Sequence, residues 1–272
     1  MSTRSKPRPP GTLGHVDQVC ASNKGDPSFM LSLARGLQVL LAFSERHVPL
    51  SVSEIALATS LDRAVVRRCI FTLEQLGMVR GLNRRYVLDA NVLSLGHAFF
   101  SSSDLVLRAQ PLIDALGDSV RTNASLAILN KHDIVYLVRS QSRRLTPHSL
   151  GMGSRLPAYC TSLGRVLLSG LPKEELDAYF KQVKLRPRTS YTVTDETRLR
   201  EALKAARRDG YAAVNQEVEL DLIGIAIPVS VTGFHQPLAM SVTVNPRYST
   251  VNEMKARYLP HMQEAARRLA AL

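Results

Sequence analysis

The stretch that decides the fold runs from residue 50 to residue 88, LSVSEIALATSLDRAVVRRCIFTLEQLGMVRGLNRRYVL. Ser51 stands three residues before Glu54, the spacing of a capping box, and Leu50 and Ile55 flank it as a hydrophobic staple. This predicts a helix from Val52 to Thr59. Asp62 can cap a second helix, with Leu61 and Val66 as another staple. Val66, Cys69, Ile70, Leu73 and Leu76 then recur at helical spacing until Gly77 ends the run. Only Ser60 and Leu61 join the two helices, a link too short for antiparallel packing and suited to the angled pair of a helix-turn-helix.

Arginines fill the outward positions. Arg63 and Arg67 share a face at i and i+4, with Arg68 beside them. Arg63 sits at the positive end of the helix dipole, so helix stability does not account for it; a phosphate or a guanine edge does, because arginine offers either a bidentate fork. Beyond Gly77, Met78-Val79-Arg80 and Tyr86-Val87-Leu88 can pair around the loop Gly81-Leu82-Asn83-Arg84-Arg85 as a basic wing. The candidate DNA contacts are Arg35, Ser53, Arg63, Ala64, Arg67, Arg68, Thr72, Arg80, Asn83, Arg84 and Arg85. Solvated arginine faces would explain any one cluster, but not the ordered combination of capped helix, short turn, basic helix and basic hairpin.

The 272 residues allow two domains, and a hydrophobic fraction of 45% supports a full core. A net charge of +12 favours polyanionic partners. No apolar run approaches the roughly 18 residues of a membrane span. The opening MSTRSKPRPPGTLG lacks the apolar core of a signal peptide, so the expected location is the cytoplasm. Cys20, Cys69 and Cys160 are widely separated and lack metal-ligand spacing, which predicts no zinc and no structural disulfide.

Residues 1 to 26, rich in proline and glycine, read as a disordered basic arm. Phe29 to Phe43 reads as a helix completing a winged domain over residues 27 to 90. Residues 91 to 121 read as a helical linker, broken at Ser101 to Ser103, with Pro111 able to start a further helix. From residue 122 to 272 strand and helix signals alternate. Ser125 to Leu129 and Ile134 to Arg139 form a hairpin; Thr161 to Ser169 and Lys173 to Phe180 are helical. Thr194 caps a helix to Asp209, strands follow near Ile223 to Val229 and Leu238 to Val244, and Thr250 to Leu272 closes as a helix. The expected fold class is α+β.

SLARGLQVL at 32 to 40, SEIALATSLDRAVVRRCIFTLEQLGMV at 53 to 79, GMGSRLPAYCTSLGRVLLS at 151 to 169, DGYAAVNQEVE at 209 to 219 and IAIPV at 225 to 229 resemble the IclR family of bacterial transcription regulators. SRLPAYCTSLGRVLL is most similar to the branch controlling aromatic-acid catabolism. The resemblance implies a winged helix-turn-helix and a GAF-like effector-binding domain without a cofactor, working as a dimer or dimer of dimers. It points to an activator of an aromatic-acid operon that engages RNA polymerase.

The resemblance places a small carboxylate at the start of the helix after LPAY, among Tyr159, Thr161, Ser162 and Leu163. Free backbone N–H groups at a helix start bind anions without a cationic side chain. Ser241 and Thr243 alternate on one strand and share a sheet face. Arg139 and Arg143 could clamp an acid bidentately, and Glu217 completes the ligand set. The chain departs from the family pattern at Asp221-Leu222-Ile223 and Val214-Asn215.

Two other readings compete. An enzyme lacks support: there is no G-x-S-x-G elbow and no H-E-x-x-H pair, Gly151-Met152-Gly153 is not followed by a third glycine, and the histidines are scattered. No catalytic residue is assigned. The other rivals are a constitutive DNA-binding repressor whose large domain only oligomerises, and a regulator sensing a short aliphatic keto acid.

Overall fold

The computed structural model describes residues 12–45, 48–140 and 150–271. The chain divides into two compact units between Ser102 and Ser103.

In the first unit, α1 (Thr12–Ser22) packs on α2 (Leu31–Ala42), with the Gln38 amide donating to the Asp17 carboxylate. This corrects the expectation of a disordered arm over Thr12–Ser22, while residues 1 to 11 of that arm lie outside the described residues. Val16, Val19 and Cys20 repeat at helical spacing and are partly buried, a short signal masked by the flanking prolines and glycines.

The helix pair forms as its capping signals predict. α3 spans Val52–Thr59, and its capping box closes both ways: Glu54 N–H donates to Ser51 Oγ at 3.3 Å and Ser51 N–H to Glu54 Oε2 at 2.8 Å. Ser60 turns the chain in the left-handed region, φ 56°, where a glycine is common. α4 (Arg63–Gln75) follows; Asp62 holds the N-cap position but makes no side-chain cap bond. Gly77, φ +66°, ends the helix and lets Met78 N–H reach Leu73 O at 2.8 Å. Val39, Ile55, Val66, Ile70 and Leu73 meet in the core, leaving the arginine face of α4 to solvent.

The wing is tighter than the expected five-residue loop. β1 (Val79–Leu82) and β2 (Arg85–Leu88) pair antiparallel with Leu82 opposite Arg85. Only Asn83 and Arg84 remain in the turn, at φ 49° and 61°, the two left-handed residues of a type I′ hairpin turn, whose twist matches the strands. Leu50 exchanges backbone hydrogen bonds with Tyr86 at 2.9 and 2.8 Å, anchoring the wing to the start of α3.

The expected linker is divided. α5 (Leu93–Ser102) belongs to the first unit, and α6 (Asp104–Val120) is a structural layer of the second, with Ala109, Ile113, Leu116 and Val120 buried. Pro111 does not start a helix but lies inside α6. Its missing N–H would have bonded the carbonyl of Leu107, an exposed residue whose carbonyl can turn to water.

The second unit is built on six antiparallel strands in the order β5-β4-β3-β8-β7-β6. These are β3 (Asn123–Asn130), β4 (Asp133–Arg139), β5 (Arg155–Pro157), β6 (Ala212–Asn215), β7 (Ile223–Val229) and β8 (Leu238–Val244). The short edge strands β5 and β6 carried too few residues to show alternation in the sequence. α7 (Ser162–Ser169), α8 (Lys173–Gln182) and α9 (Glu196–Asp209) form one layer, and α6 and α10 (Val251–Ala270) lie against the sheet. Asp195, not Thr194, caps α9, its carboxylate accepting Arg198 N–H at 2.8 Å. Ala127, Ala226 and Ala239 line the sheet in the α7 core, their small side chains letting that helix sit close.

Candidate functional site

Two surfaces carry chemistry, one in each unit. On the first, Arg63, Ala64, Arg67, Arg68 and Thr72 are exposed along α4, and Ser53 is exposed on α3. Val66, Ile70 and Leu73 carry α4 into the core, which leaves these exposed side chains outside it. Asn83 and Arg84 stand at the wing tip and Arg80 on its outer edge, 3.9 Å from Asp89. Arg35 is half-buried on α2; it and Arg68 both act electrostatically on Cys69, whose thiol is nevertheless pushed up by burial.

Arg85 departs from its expected role. Its Nη1 donates to Pro49 O at 2.7 Å and to Glu54 Oε2 at 2.9 Å, bracing the wing against the capping box of α3. The two-residue turn places Arg85 in the strand rather than the loop, within reach of Glu54.

The second surface is a small cavity of about 30 Å³ beneath the start of α7, space for little more than one water. Thr161, Ser162, Ser241 and Thr243 give it hydroxyls, Tyr136 a phenol, and Leu156, Leu163, Val214, Val218 and Leu222 an apolar wall. Thr161 is the N-cap of α7, its Oγ1 accepting Gly164 N–H at 3.0 Å. The N–H groups of Ser162 and Leu163 have no hydrogen-bond partner among the described residues, so the positive end of α7 opens at the cavity.

Two glycines make the approach possible. A Cβ on Gly164 would lie 2.1 Å from Ala158 O, so only glycine lets α7 meet the Ala158–Cys160 turn this closely. A Cβ on Gly224 would lie 2.8 Å from Ser162 Oγ. Gly224 pairs with Thr243 across the sheet and opens the floor where Ser162 descends.

The structure thus brings together Thr161, Ser162, Leu163, Ser241 and Thr243 around one cavity. It does not bring Tyr159 to the cavity lining: the Tyr159 hydroxyl donates to Arg186 O at 2.6 Å. Glu217 is likewise turned away, 2.7 Å from Arg165 and accepting Val193 N–H at 3.0 Å; a buried carboxylate takes the nearest buried cation. Arg139 lies beside the cavity with its guanidinium 4.7 Å from the Tyr136 ring centroid. Arg143 lies outside the described residues.

Tyr136, Leu156, Val218 and Gly224 were missed, since apolar strand and loop residues carry no local mark of facing a cavity, and Val214 and Leu222 stood out only as departures from the family pattern. Burial raises the Tyr136 phenol against the opposing pull of Arg139, keeping it a neutral donor. Cys160 is fully buried and its thiol is pushed up to about 12 by desolvation, so it supplies no nucleophile. Among the described residues no group of histidine, cysteine and carboxylate side chains could hold a metal, and no helix is long and apolar enough to cross a membrane.

Comparison with known proteins covers both units. The IclR helix-turn-helix domain matches residues 32–82, and the bacterial transcriptional regulator IclR C-terminal domain matches residues 97–271. The chain is 40% identical to the Pca regulon regulatory protein of Pseudomonas putida, over 90% of this chain and 84% of that protein. It is 34% identical to the p-hydroxybenzoate hydroxylase transcriptional activator of Acinetobacter baylyi, over 74% and 76% of the two chains. Among solved structures, a double mutant of the PobR inducer-binding domain from Acinetobacter, in complex with 3-hydroxybenzoic acid, matches with a TM-score of 0.58 and 30% identity. That match covers 62% of this chain and 98% of the other. These relatives are DNA-binding regulators rather than enzymes, and the chain belongs to the IclR family of bacterial transcriptional regulators.

Proposed function

We propose that this protein is a cytoplasmic, nucleoid-associated regulator that activates an aromatic-acid catabolic operon on sensing a small aromatic carboxylate. The observation that carries the effector half is the pair of unpartnered amides, Ser162 and Leu163, opening at a cavity lined by four aliphatic hydroxyls. Such a helix start holds a carboxylate through backbone N–H groups and the dipole, and a ring is admitted when the apolar wall of Leu156, Leu163 and Val218 moves apart, since the cavity of about 30 Å³ holds little more than one water. The relatives named for the Pca regulon and p-hydroxybenzoate hydroxylase support the same ligand class.

For the DNA half, Arg63, Arg67 and Arg68 reach the major groove, with Ser53, Ala64 and Thr72 alongside, and Arg80, Asn83 and Arg84 contact phosphate from the wing. Exposed Leu93, Leu95 and Phe99 on α5 support a homodimer or dimer of dimers. Residues 27 to 90 serve as the DNA-binding domain, and the effector-binding domain starts with α6, because α6 packs on its sheet. RNA polymerase is the further partner that activation requires. The effector acts by binding one arrangement of the regulator more tightly than another.

A thermal-shift screen of hydroxybenzoates, protocatechuate, phthalates and short keto acids tests the effector. A cognate acid at a hundred times its Kd should stabilise the fold by about 2.7 kcal/mol. A flat response across the panel would sink the effector reading and leave a constitutive DNA-binding protein. Stabilisation by keto acids alone would replace the aromatic class with the aliphatic one.

A further inference from the structure

We propose that Tyr136 and Arg139 form a second polar end of the effector cavity, selecting acids with an acceptor oxygen at the end remote from the carboxylate. The inference rests on the effector reading above and extends it to the chemistry of the far end.

In a regular strand, residues three apart face opposite sides of the sheet. β4 is not regular. Its pairing with β3 passes from Leu126↔Val138 to Ala127↔Tyr136, leaving Leu137 as the extra residue of a bulge. The bulge brings Arg139 back to the face that Tyr136 occupies. Arg139 then pairs with Ser125, which pairs in turn with Ser241 on β8. The arginine therefore ends a cross-sheet row containing the cavity-lining Ser241. Without the bulge it would point to the opposite face.

The guanidinium is set for a missing acceptor. It stacks on the ring of Tyr136, which lines the cavity, and its Nη1 is buried with no hydrogen-bond partner among the described residues. A buried cationic donor left unpaired is costly, and a ligand oxygen removes that cost. Among the described residues no cationic side chain lines the carboxylate end, where the Ser162 and Leu163 amides stand.

Ser162 descends onto Gly224 of β7, and Arg139 of β4 stands three strands away across the sheet, at the end remote from the amides. A phenol and a second carboxylate both supply an acceptor oxygen there.

Isothermal titration of the full-length protein with benzoate, 4-hydroxybenzoate and terephthalate separates the possibilities. The wild type should prefer at least one para-substituted acid over benzoate by about tenfold or more. Arg139→Gln should bring the three within about threefold of one another by removing the gain of the para-substituted acids. Tyr136→Phe, which removes one oxygen and keeps the ring, should reduce the same preference and holds the test open if the arginine variant misfolds. A larger loss for terephthalate assigns the far oxygen to a second carboxylate, and a larger loss for 4-hydroxybenzoate assigns it to a phenol. A folded Arg139→Gln or Tyr136→Phe protein that keeps the full preference overturns the proposal. A wild type that binds all three equally, or none of them, overturns it too, and the effector reading then stands or falls on the wider panel of acids.

Discussion

The carboxylate of Glu217 lies 2.7 Å from the guanidinium of Arg165, with the two side chains only 7% and 8% exposed. Arg165 projects from α7 and also donates through Nε to Tyr159 O at 3.1 Å. Glu217 sits in the loop whose neighbours Val218 and Leu222 line the cavity. The pair fastens one cavity wall to the helix whose amides open at the cavity.

Breaking this pair should be far worse than replacing it. Glu217→Ala leaves a buried, unpaired arginine and should cost about 3–5 kcal/mol in urea denaturation, whereas Arg165→Met with Glu217→Leu should recover most of that loss. Equal destabilisation in single and double variants would show that the pair does not act as a unit.

Burial pushes the Glu217 carboxyl above its ordinary value of 4.5, against the opposing pull of Arg165. The folded protein then binds its proton more tightly than the unfolded chain does. Between the ordinary and the raised value this group makes stability fall as pH rises, and Glu217→Gln should flatten that part of the curve. An unchanged slope of urea midpoint against pH would count against it.

Gly164→Ala should cost upwards of about 2 kcal/mol, because the new methyl would lie 2.1 Å from a backbone carbonyl that has no free path of retreat. Effector-induced stabilisation should vanish with it as α7 is displaced. Gly210→Ala gives a control: its added methyl meets nothing within 4 Å, so its cost comes from the positive φ alone. A thermal melt of Gly164→Ala that matches the parent protein would refute the packing argument.

The three wing and helix arginines should separate by mechanism in operator titrations. Arg67→Ala should lose roughly 1–3 kcal/mol if it reads a base, and Arg84→Ala should mainly lower the slope of log K against log salt by about 1. Arg85→Ala should instead lower the stability of the first unit, since it cuts the brace to Pro49 and Glu54. Operator affinity unchanged in both of the first two variants would reject the placement of the reading face.

By itself the sequence determined what local chemistry can encode: the Ser51–Glu54 capping box, the stop at Gly77, the basic face of α4, and a helix beginning at Thr161. Each depends on residues a few positions apart, whose hydrogen bonds and spacing are legible in one dimension. Tertiary structure decided the rest. Glu217 pairs with Arg165, fifty-two residues away. Arg85 is claimed by Glu54, thirty-one residues away. Gly224 matters because Ser162 descends on it, and one unpaired residue in β4 turns Arg139 toward Tyr136. Burial makes such partnerships compulsory, since a charge removed from water must find its counterpart wherever the chain has brought one.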